Sequence, residues 1–240
     1  LRTYAERTGW LDPGEAAAVA WVAAEVRGTS ILDIGVGGGR TIPLLTALSP
    51  DYVRIDYTEE FVDLSRSRHP QARVLHMDAR DLAAFEDASF GLVLFSFNGI
   101  DVVDHDDRLK ILHEVHRVLR PAGLLVFSTH NRDGPGHREP FLRLKLTANP
   151  LKLGWRLLRL ARTLPAAAYN HGRLRWLNAE YDGYSVRNAA AHDFGVVIVL
   201  TSQSEQRRQL EAVGLRTEVV FDTRGQPVAE DADTHETWWF

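Results

Sequence analysis

The chain contains no cysteine and only one methionine among its 240 residues. Without cysteine it can form no disulfide bond, no thiolate metal site and no iron–sulfur cluster. No apolar run approaches the roughly 20 residues that a membrane-spanning helix needs, and no segment resembles a signal peptide. We therefore expect a cytoplasmic protein. Because the sequence begins at Leu1 and stops at Phe240 within a strand-like segment, we also expect residues beyond both ends.

The overall charge is also small. The net charge of −4 and the pI near 6.2 argue against a nucleic-acid partner, and no RNA-binding module is recognisable. Apolar residues make up 45% of the chain and charged residues 25%, which are ordinary values for a globular protein. This length predicts one domain, residues 1–240, with a substantial core.

Residues 30–41 are the most informative segment, reading Ser-Ile-Leu-Asp-Ile-Gly-Val-Gly-Gly-Gly-Arg-Thr. An apolar strand, a glycine turn and a helix N-terminus in this order are typical of a nucleotide-type site. The dinucleotide pattern G-x-G-x-x-G would require glycine where Arg40 stands. Asp33 would also repel a pyrophosphate, so the turn favours a ligand that carries positive charge.

Two further acids follow predicted strands. Asp56 ends the apolar segment 51–56, and Asp78 follows the predicted strand 72–76. In an open parallel sheet the carboxyl ends of the strands line one crevice, where ligands bind. We therefore expect Asp33, Asp56 and Asp78 to contact one molecule.

Strands and helices alternate along most of the chain, which predicts parallel strands with helices on both faces. The predicted strands are 30–34, 52–56, 72–76, 91–96, 123–128, 216–221 and 237–240. The predicted helices are 12–27, 41–48, 59–67, 106–119 and 204–213.

Residues 28–130 resemble the class I S-adenosylmethionine-dependent methyltransferases at four strand ends taken in order. The glycine segment looks like that family's first motif, and residues 116–128 look like its last helix, turn and fifth strand, with Ala122 where the family often has glycine. The resemblance implies an α/β fold with a doubly wound, mostly parallel seven-stranded sheet, a last antiparallel strand and a helical insertion after the fifth strand. It implies S-adenosylmethionine as cofactor, bound by Asp33, Gly35, Val36, Gly37, Gly39, Thr41, Asp56, Tyr57, Asp78, Ala79 and Ser96.

Residues 131–200 interrupt the alternation, and we interpret them as an inserted lid or substrate subdomain, with helix-like sequence over 141–164. Between residues 138 and 175 nine Lys or Arg face a single acid, a local charge of +8 that leaves −12 for the rest of the chain. Three interpretations stay open: a solvated helical appendage, a lid whose arginines recognise an anionic acceptor, or adhesion to nucleic acid or an anionic membrane.

Methyl transfer requires mainly the alignment of the acceptor with the methyl group. A general base is needed only for a protonated acceptor such as a hydroxyl or ammonium group. His130 is the best-placed candidate, followed by Asn98, Asp101 and His192. The acids of residues 101–107 could bind a metal, but they precede a helix and favour capping, so no metal site is predicted.

We therefore expect a methyltransferase that acts on an oxygen or nitrogen of a small, possibly anionic molecule. A nicotinamide-dependent oxidoreductase on a similar sheet and a non-catalytic S-adenosylmethionine-binding protein are the alternatives, with RNA methylation a minor one. The sequence does not indicate the oligomeric state.

Overall fold

The computed structural model describes residues 9–135, 147–190, 193–229, 236 and 238–240. Its helices are α1 (Pro13–Val26), α2 (Ile42–Leu48), α3 (Glu59–Arg68), α4 (His105–Val118), α5 (Pro150–Leu174) and α6 (Gln203–Ala212). Its strands are β1 (Ile31–Ile34), β2 (Tyr52–Asp56), β3 (Arg73–His76), β4 (Phe90–Phe95), β5 (Leu119–Phe127), β6 (Thr129–His130), β7 (Ala179–Glu180), β8 (Tyr184–Ala189), β9 (Val196–Thr201) and β10 (Trp238–Trp239). Short 3₁₀ turns cover Gly99–Val102 and Arg175–Leu177.

Strands β1 to β5 form the central sheet in the order β3-β2-β1-β4-β5, and all their pairings are parallel. Strands β1, β2 and β4 are buried along their whole length, as expected for strands covered on both faces. Successive side chains alternate between two cores. Leu32 packs with Ile111 of α4, whereas Ile31 packs with Val19 of α1 and Leu45 of α2.

Two helices begin within one residue of their predicted starts. Pro13 starts α1, and the Glu15 carboxylate accepts a hydrogen bond from the backbone N–H of Asp12 at 3.3 Å. Asp104 caps α4 by accepting a hydrogen bond from the Asp107 N–H at 2.8 Å. Ala122 adopts a left-handed φ of 61° where β5 shifts its register against β4, so alanine occupies a position that glycine would fill without strain.

The seven-stranded sheet is observed only in part. Among the described residues the central sheet has five strands, and residues 216–221, which we predicted as a strand, form no ladder with β5. A groove of about 1090 Å³ is lined by residues of both segments, Leu124 and Val219 among them. The chain end is antiparallel as expected, but it pairs with β6 through Trp238 and His130 rather than with the central sheet.

The segment after β5 contains more than the expected helices. Helix α5 starts and ends later than the helix-like sequence 141–164 suggested, and residues 141–146 lie outside the described residues. Strands β7, β8 and β9 form a separate antiparallel sheet that we did not predict. The β-branched run of Val196–Thr201 was the available signal for β9.

Candidate active site

The glycine turn after β1 has room for a side chain at Gly37. Gly37 has a φ of 53°, and a Cβ placed there would meet nothing closer than the Gly35 carbonyl at 4.0 Å. Gly39, with a φ of 85°, is different, because a Cβ there would lie 2.9 Å from Ile42 and 3.0 Å from the His69 ring. The side chain of Val36 is buried in the core. The open space therefore lies above Gly37.

Asp56 holds this turn in place. Its Oδ2 accepts a hydrogen bond from the Gly37 N–H at 2.8 Å, and its Oδ1 accepts one from the Thr58 N–H at 2.9 Å. The neighbouring Tyr57 has a side chain that is 67% exposed, so its ring is available to a ligand on this edge.

Asp33 lies behind the turn rather than at its surface. Its Oδ2 accepts hydrogen bonds from the Thr41 hydroxyl and the Tyr52 hydroxyl, each at 2.6 Å. Burial raises the pKa of the Asp33 carboxyl to about 6, although both hydrogen bonds act in the opposite direction. The side chains of Asp33 and Thr41 thus contact each other within the protein.

Asp78 lies on the same sheet edge but has a charged partner. Its carboxylate pairs with Arg80 at 2.6 Å, and Arg80 also reaches Asp107 at 2.5 Å. The hydrogen bond from Arg80 lowers the pKa of Asp78. Ala79 points into the core. The strand order β3-β2-β1 therefore aligns Asp78, Asp56 and Asp33, each with a different set of partners.

Arg40, which sequence analysis treated only as a missing glycine, is central to the site. Its guanidinium binds the buried Glu15 carboxylate through two hydrogen bonds of 2.6 and 2.8 Å. It also donates to the Ser96 hydroxyl at 2.8 Å, and Ser96 in turn donates to Glu15. The guanidinium carbon lies 5.1 Å from the ring centres of both Trp10 and Phe97. The helix α1 and the exit of β4 are thereby joined across the glycine turn.

His130, at the end of β6, is hydrogen-bonded to a buried acid. Asp101, which is fully buried, accepts hydrogen bonds on Oδ2 from the His130 backbone N–H at 2.6 Å and from Nδ1 at 2.7 Å. The other ring nitrogen, Nε2, lies 3.5 Å from the Asn98 side-chain nitrogen. The sequence predicted His130, Asn98 and Asp101 separately, and the structure brings them together. His192 lies outside the described residues.

Arg108 balances the charge of Asp101. This guanidinium is fully buried and donates to Asp101, to the Thr129 hydroxyl at 2.9 Å, and to Gln206 and Gln209 of α6. Burial alone would raise the pKa of Asp101, but the charge of Arg108 and the hydrogen bonds from His130 lower it overall. No local sequence pattern indicates this network, because Gln206 and Gln209 lie about 100 residues from Arg108 along the chain.

No three His, Asp or Glu side chains within the described ranges lie close enough together to hold a metal ion. In the same ranges no helix combines the length and apolar character needed to cross a membrane.

Residues 32–127 match the family model described as "Methyltransferase domain". This segment contains the glycine turn, Asp56 and the β4 exit. Residues 32–127 are a methyltransferase domain. The match confirms the methyltransferase resemblance of this segment, and a relative named below is S-adenosylmethionine-dependent.

Curated relatives of the methyltransferase domain match over less than half of this chain. A "probable S-adenosylmethionine-dependent methyltransferase" of Mycobacterium tuberculosis is 33% identical over 113 residues, which are 46% of this chain and 39% of the relative. The demethylmenaquinone methyltransferase of Clavibacter sepedonicus is 37% identical over 112 residues, 44% of each chain. The chain thus spans less than half the length of these relatives.

A solved structure resembles the chain over nearly its whole length. The CcbJ methyltransferase from Streptomyces caelestis superposes with a TM-score of 0.61 and 16% identity, covering 96% of this chain and 94% of that one. The methyltransferase fold therefore extends beyond the matched domain.

Proposed function

We propose that this protein transfers a methyl group from S-adenosylmethionine to an oxygen or nitrogen of a small molecule, with His130 as general base. The observation that carries the proposal is the contact of His130 Nδ1 with the buried Asp101 carboxylate, which leaves Nε2 on the side of Asn98.

The residues around the glycine turn fit the cofactor. Above Gly37 a Cβ would have free space, so a ligand can approach the backbone there. Asp56 retains lone pairs for ribose hydroxyl groups besides its two bonds to backbone N–H groups. When bound, S-adenosylmethionine supplies a methyl group made electrophilic by the sulfonium. Tyr57 would pack on its adenine.

Asp101 determines which nitrogen of His130 can accept a proton. Because the pKa of Asp101 is lowered, its carboxylate is ionised near neutral pH and accepts a hydrogen bond from the Nδ1–H of His130. Nε2 then carries the lone pair, which accepts a long hydrogen bond from the Asn98 amide nitrogen at 3.5 Å and becomes available when that amide turns to the acceptor. It can accept the proton of an acceptor hydroxyl or ammonium group, while Asp101 stabilises the imidazolium that forms. Asn98, 3.5 Å from Nε2, would position the acceptor.

We also propose that residues 131–200 form a subdomain that covers the acceptor. Support comes from a contact next to His130: the N–H of Arg132, at the start of this segment, donates to the carbonyl of Thr201, at the end of β9, at 3.1 Å. The demethylmenaquinone methyltransferase among the relatives is named for a small-molecule substrate, which favours a small acceptor here. An anionic acceptor remains a prediction.

The base assignment is tested by His130→Gln. We expect the kcat for a hydroxyl or amine acceptor to fall about a hundredfold or more, because proton removal loses its base. Transfer of labelled methyl groups across an acceptor panel measures the rate, and calorimetry with S-adenosylhomocysteine should show unchanged affinity. His113→Gln, on the far turn of α4, is the matched control and should leave kcat unaltered. A His130→Gln variant with wild-type kcat would show that His130 is not the general base.

The cofactor assignment is tested by Asp56→Ala. Loss of a charged hydrogen-bonding partner should weaken S-adenosylhomocysteine binding by about 1.5–3 kcal/mol. The exposed Asp63→Ala on α3 is the control and should bind normally. Titration with NAD(H) tests the oxidoreductase alternative. Tight nicotinamide binding without S-adenosylhomocysteine binding would contradict the proposal.

A further inference from the structure

Helix α5 combines strong positive charge with a complete lack of acids. Residues 147–178 contain no Asp or Glu. The basic residues of this segment are Lys152, Arg156, Arg159, Arg162, Arg173 and Arg175. Of the 25 residues of α5, only Ala167 is buried. The helix therefore exposes most of its surface.

The docked edge of α5 fixes its orientation. The His171 ring packs edge-on against Phe194, with 4.8 Å between ring centres, and its Nδ1 lies 3.3 Å from the Asn188 side-chain oxygen. The Asn170 amide donates to the Asp193 carbonyl at 3.1 Å. These contacts anchor the part of α5 after Pro165, whose opposite side, with Tyr169, faces solvent.

A stripe of large apolar side chains is exposed on α5. Leu151, Trp155 and Leu158 follow one another at four- and three-residue spacing, so they share one face. Their exposed fractions are 84%, 62% and 51%. Tyr169 and Trp176 extend the exposed apolar surface toward the end of the helix and are 69% and 75% exposed. We call these five residues the outer stripe.

Cations lie directly beside the outer stripe. The Arg159 guanidinium carbon is 5.8 Å from the Trp155 ring centre, and the Arg173 guanidinium carbon is 5.8 Å from the Tyr169 ring centre. A surface that binds this helix must therefore accept apolar groups and supply negative charge within a few ångströms. The boundary between lipid headgroups and acyl chains offers both.

We propose that α5 binds the surface of an anionic lipid bilayer, with the outer stripe at the acyl boundary and the arginines on headgroup phosphates. A second copy of the chain would place like charges against each other. A nucleic acid would satisfy the arginines but would leave the leucines in water. Trp and Tyr rings, apolar with one polar atom, suit the interface.

The test is co-sedimentation of the full chain with vesicles of phosphatidylcholine, alone or mixed with an equal amount of phosphatidylglycerol. We expect binding to the mixed vesicles, weakening as salt is raised, and little binding to phosphatidylcholine alone. Replacing Leu151, Trp155 and Leu158 together by Gln should weaken binding roughly tenfold or more, since the apolar contribution is lost. These side chains are exposed, so the fold should persist, which circular dichroism checks.

Two sets of control variants make the same kinds of substitution on other parts of the surface. Trp21→Gln removes an exposed tryptophan from α1 and should not alter binding. The pair Arg159→Gln and Arg162→Gln should weaken binding, whereas Arg216→Gln with Arg224→Gln removes the same charge from another surface and should not.

Three results would overturn the inference: no binding to mixed vesicles, unchanged binding of the triple glutamine variant, or tighter binding of a single-stranded RNA that the triple variant retains. The assay contains neither cofactor nor acceptor, so its outcome is independent of the proposed methyl transfer.

Discussion

The two ends of the candidate site each contain a buried aspartate, and the two aspartates behave in opposite ways. Asp33, behind the glycine turn, is 1% exposed and has two hydroxyl partners, and its pKa is raised to about 6. Asp101, beside His130, is 0% exposed and has Arg108 as partner, and its pKa is lowered. The hydroxyl donors of Asp33 and the charges of Arg40 and Arg54 do not offset its burial, whereas the guanidinium bonded directly to Asp101, with the hydrogen bonds from His130, does.

The difference assigns different work to the two carboxylates. Asp101 stays ionised and can hold the Nδ1 hydrogen of His130. Asp33 is partly protonated near pH 6, and its ionised form is costly until a positive group approaches the turn. A cofactor with an ammonium and a sulfonium would supply such charge. Substitutions at the partners of each acid test this contrast.

Arg108→Met should have the largest effect. It leaves the Asp101 charge without compensation in the interior, so the free energy of unfolding should fall by about 3–5 kcal/mol at pH 7. Burial raises the pKa of an Asp101 carboxyl that has lost Arg108, so the variant takes up this proton as pH falls and the loss should shrink toward pH 4 and below. Urea unfolding measures it. Arg224→Met, an exposed guanidinium, is the control, and an equal loss there would refute the assignment.

Asp33→Asn should raise the free energy of unfolding rather than lower it. The folded protein binds the Asp33 proton more tightly than the unfolded chain, so ionisation lowers stability as pH rises from about 4 to about 6. The Asn variant avoids this cost and should be more stable than wild type by up to about 3 kcal/mol at pH 8. The gap should close at pH 4. Thermal unfolding at both pH values checks it, and a constant gap would contradict the raised pKa.

Tyr52→Phe should have the smallest effect of the three. It removes one of two hydrogen bonds to Asp33, which should cost about 1 kcal/mol and raise the pKa of Asp33 further. Carboxyl titration followed by nuclear magnetic resonance measures the shift. Thr41→Val removes the other donor and should act alike. If neither variant moved the titration, the hydroxyls would not be the partners of Asp33.

Local sequence patterns predicted the central fold well. Predicted strands such as 52–56 and helices such as 59–67 agree with β2 and α3 to within a residue, because buried parallel strands are continuous apolar runs and helices are bounded by caps. The sheet of β7 to β9 was missed. Its short strands depend on pairing with one another, and they lie within the segment that we interpreted as a helical insertion.

The site was predictable in its location but not in its contacts. Strand ends fixed the edge on which Asp33, Asp56 and Asp78 lie. Nothing local shows that the Asp33 carboxylate turns inward to Tyr52, or that Arg108 meets glutamines of α6, since these contacts arise only after distant elements pack. Such tertiary contacts decide the protonation of each acid.

The position of the Arg40 guanidinium against the rings of Trp10 and Phe97 gives the molecule an intrinsic optical reporter. Indole emission depends on nearby charge, and this guanidinium belongs to the bridge between Glu15 and Ser96 that spans the glycine turn. Any rearrangement of that bridge when the turn is filled would change the Trp10 signal, so occupancy can be followed without a label.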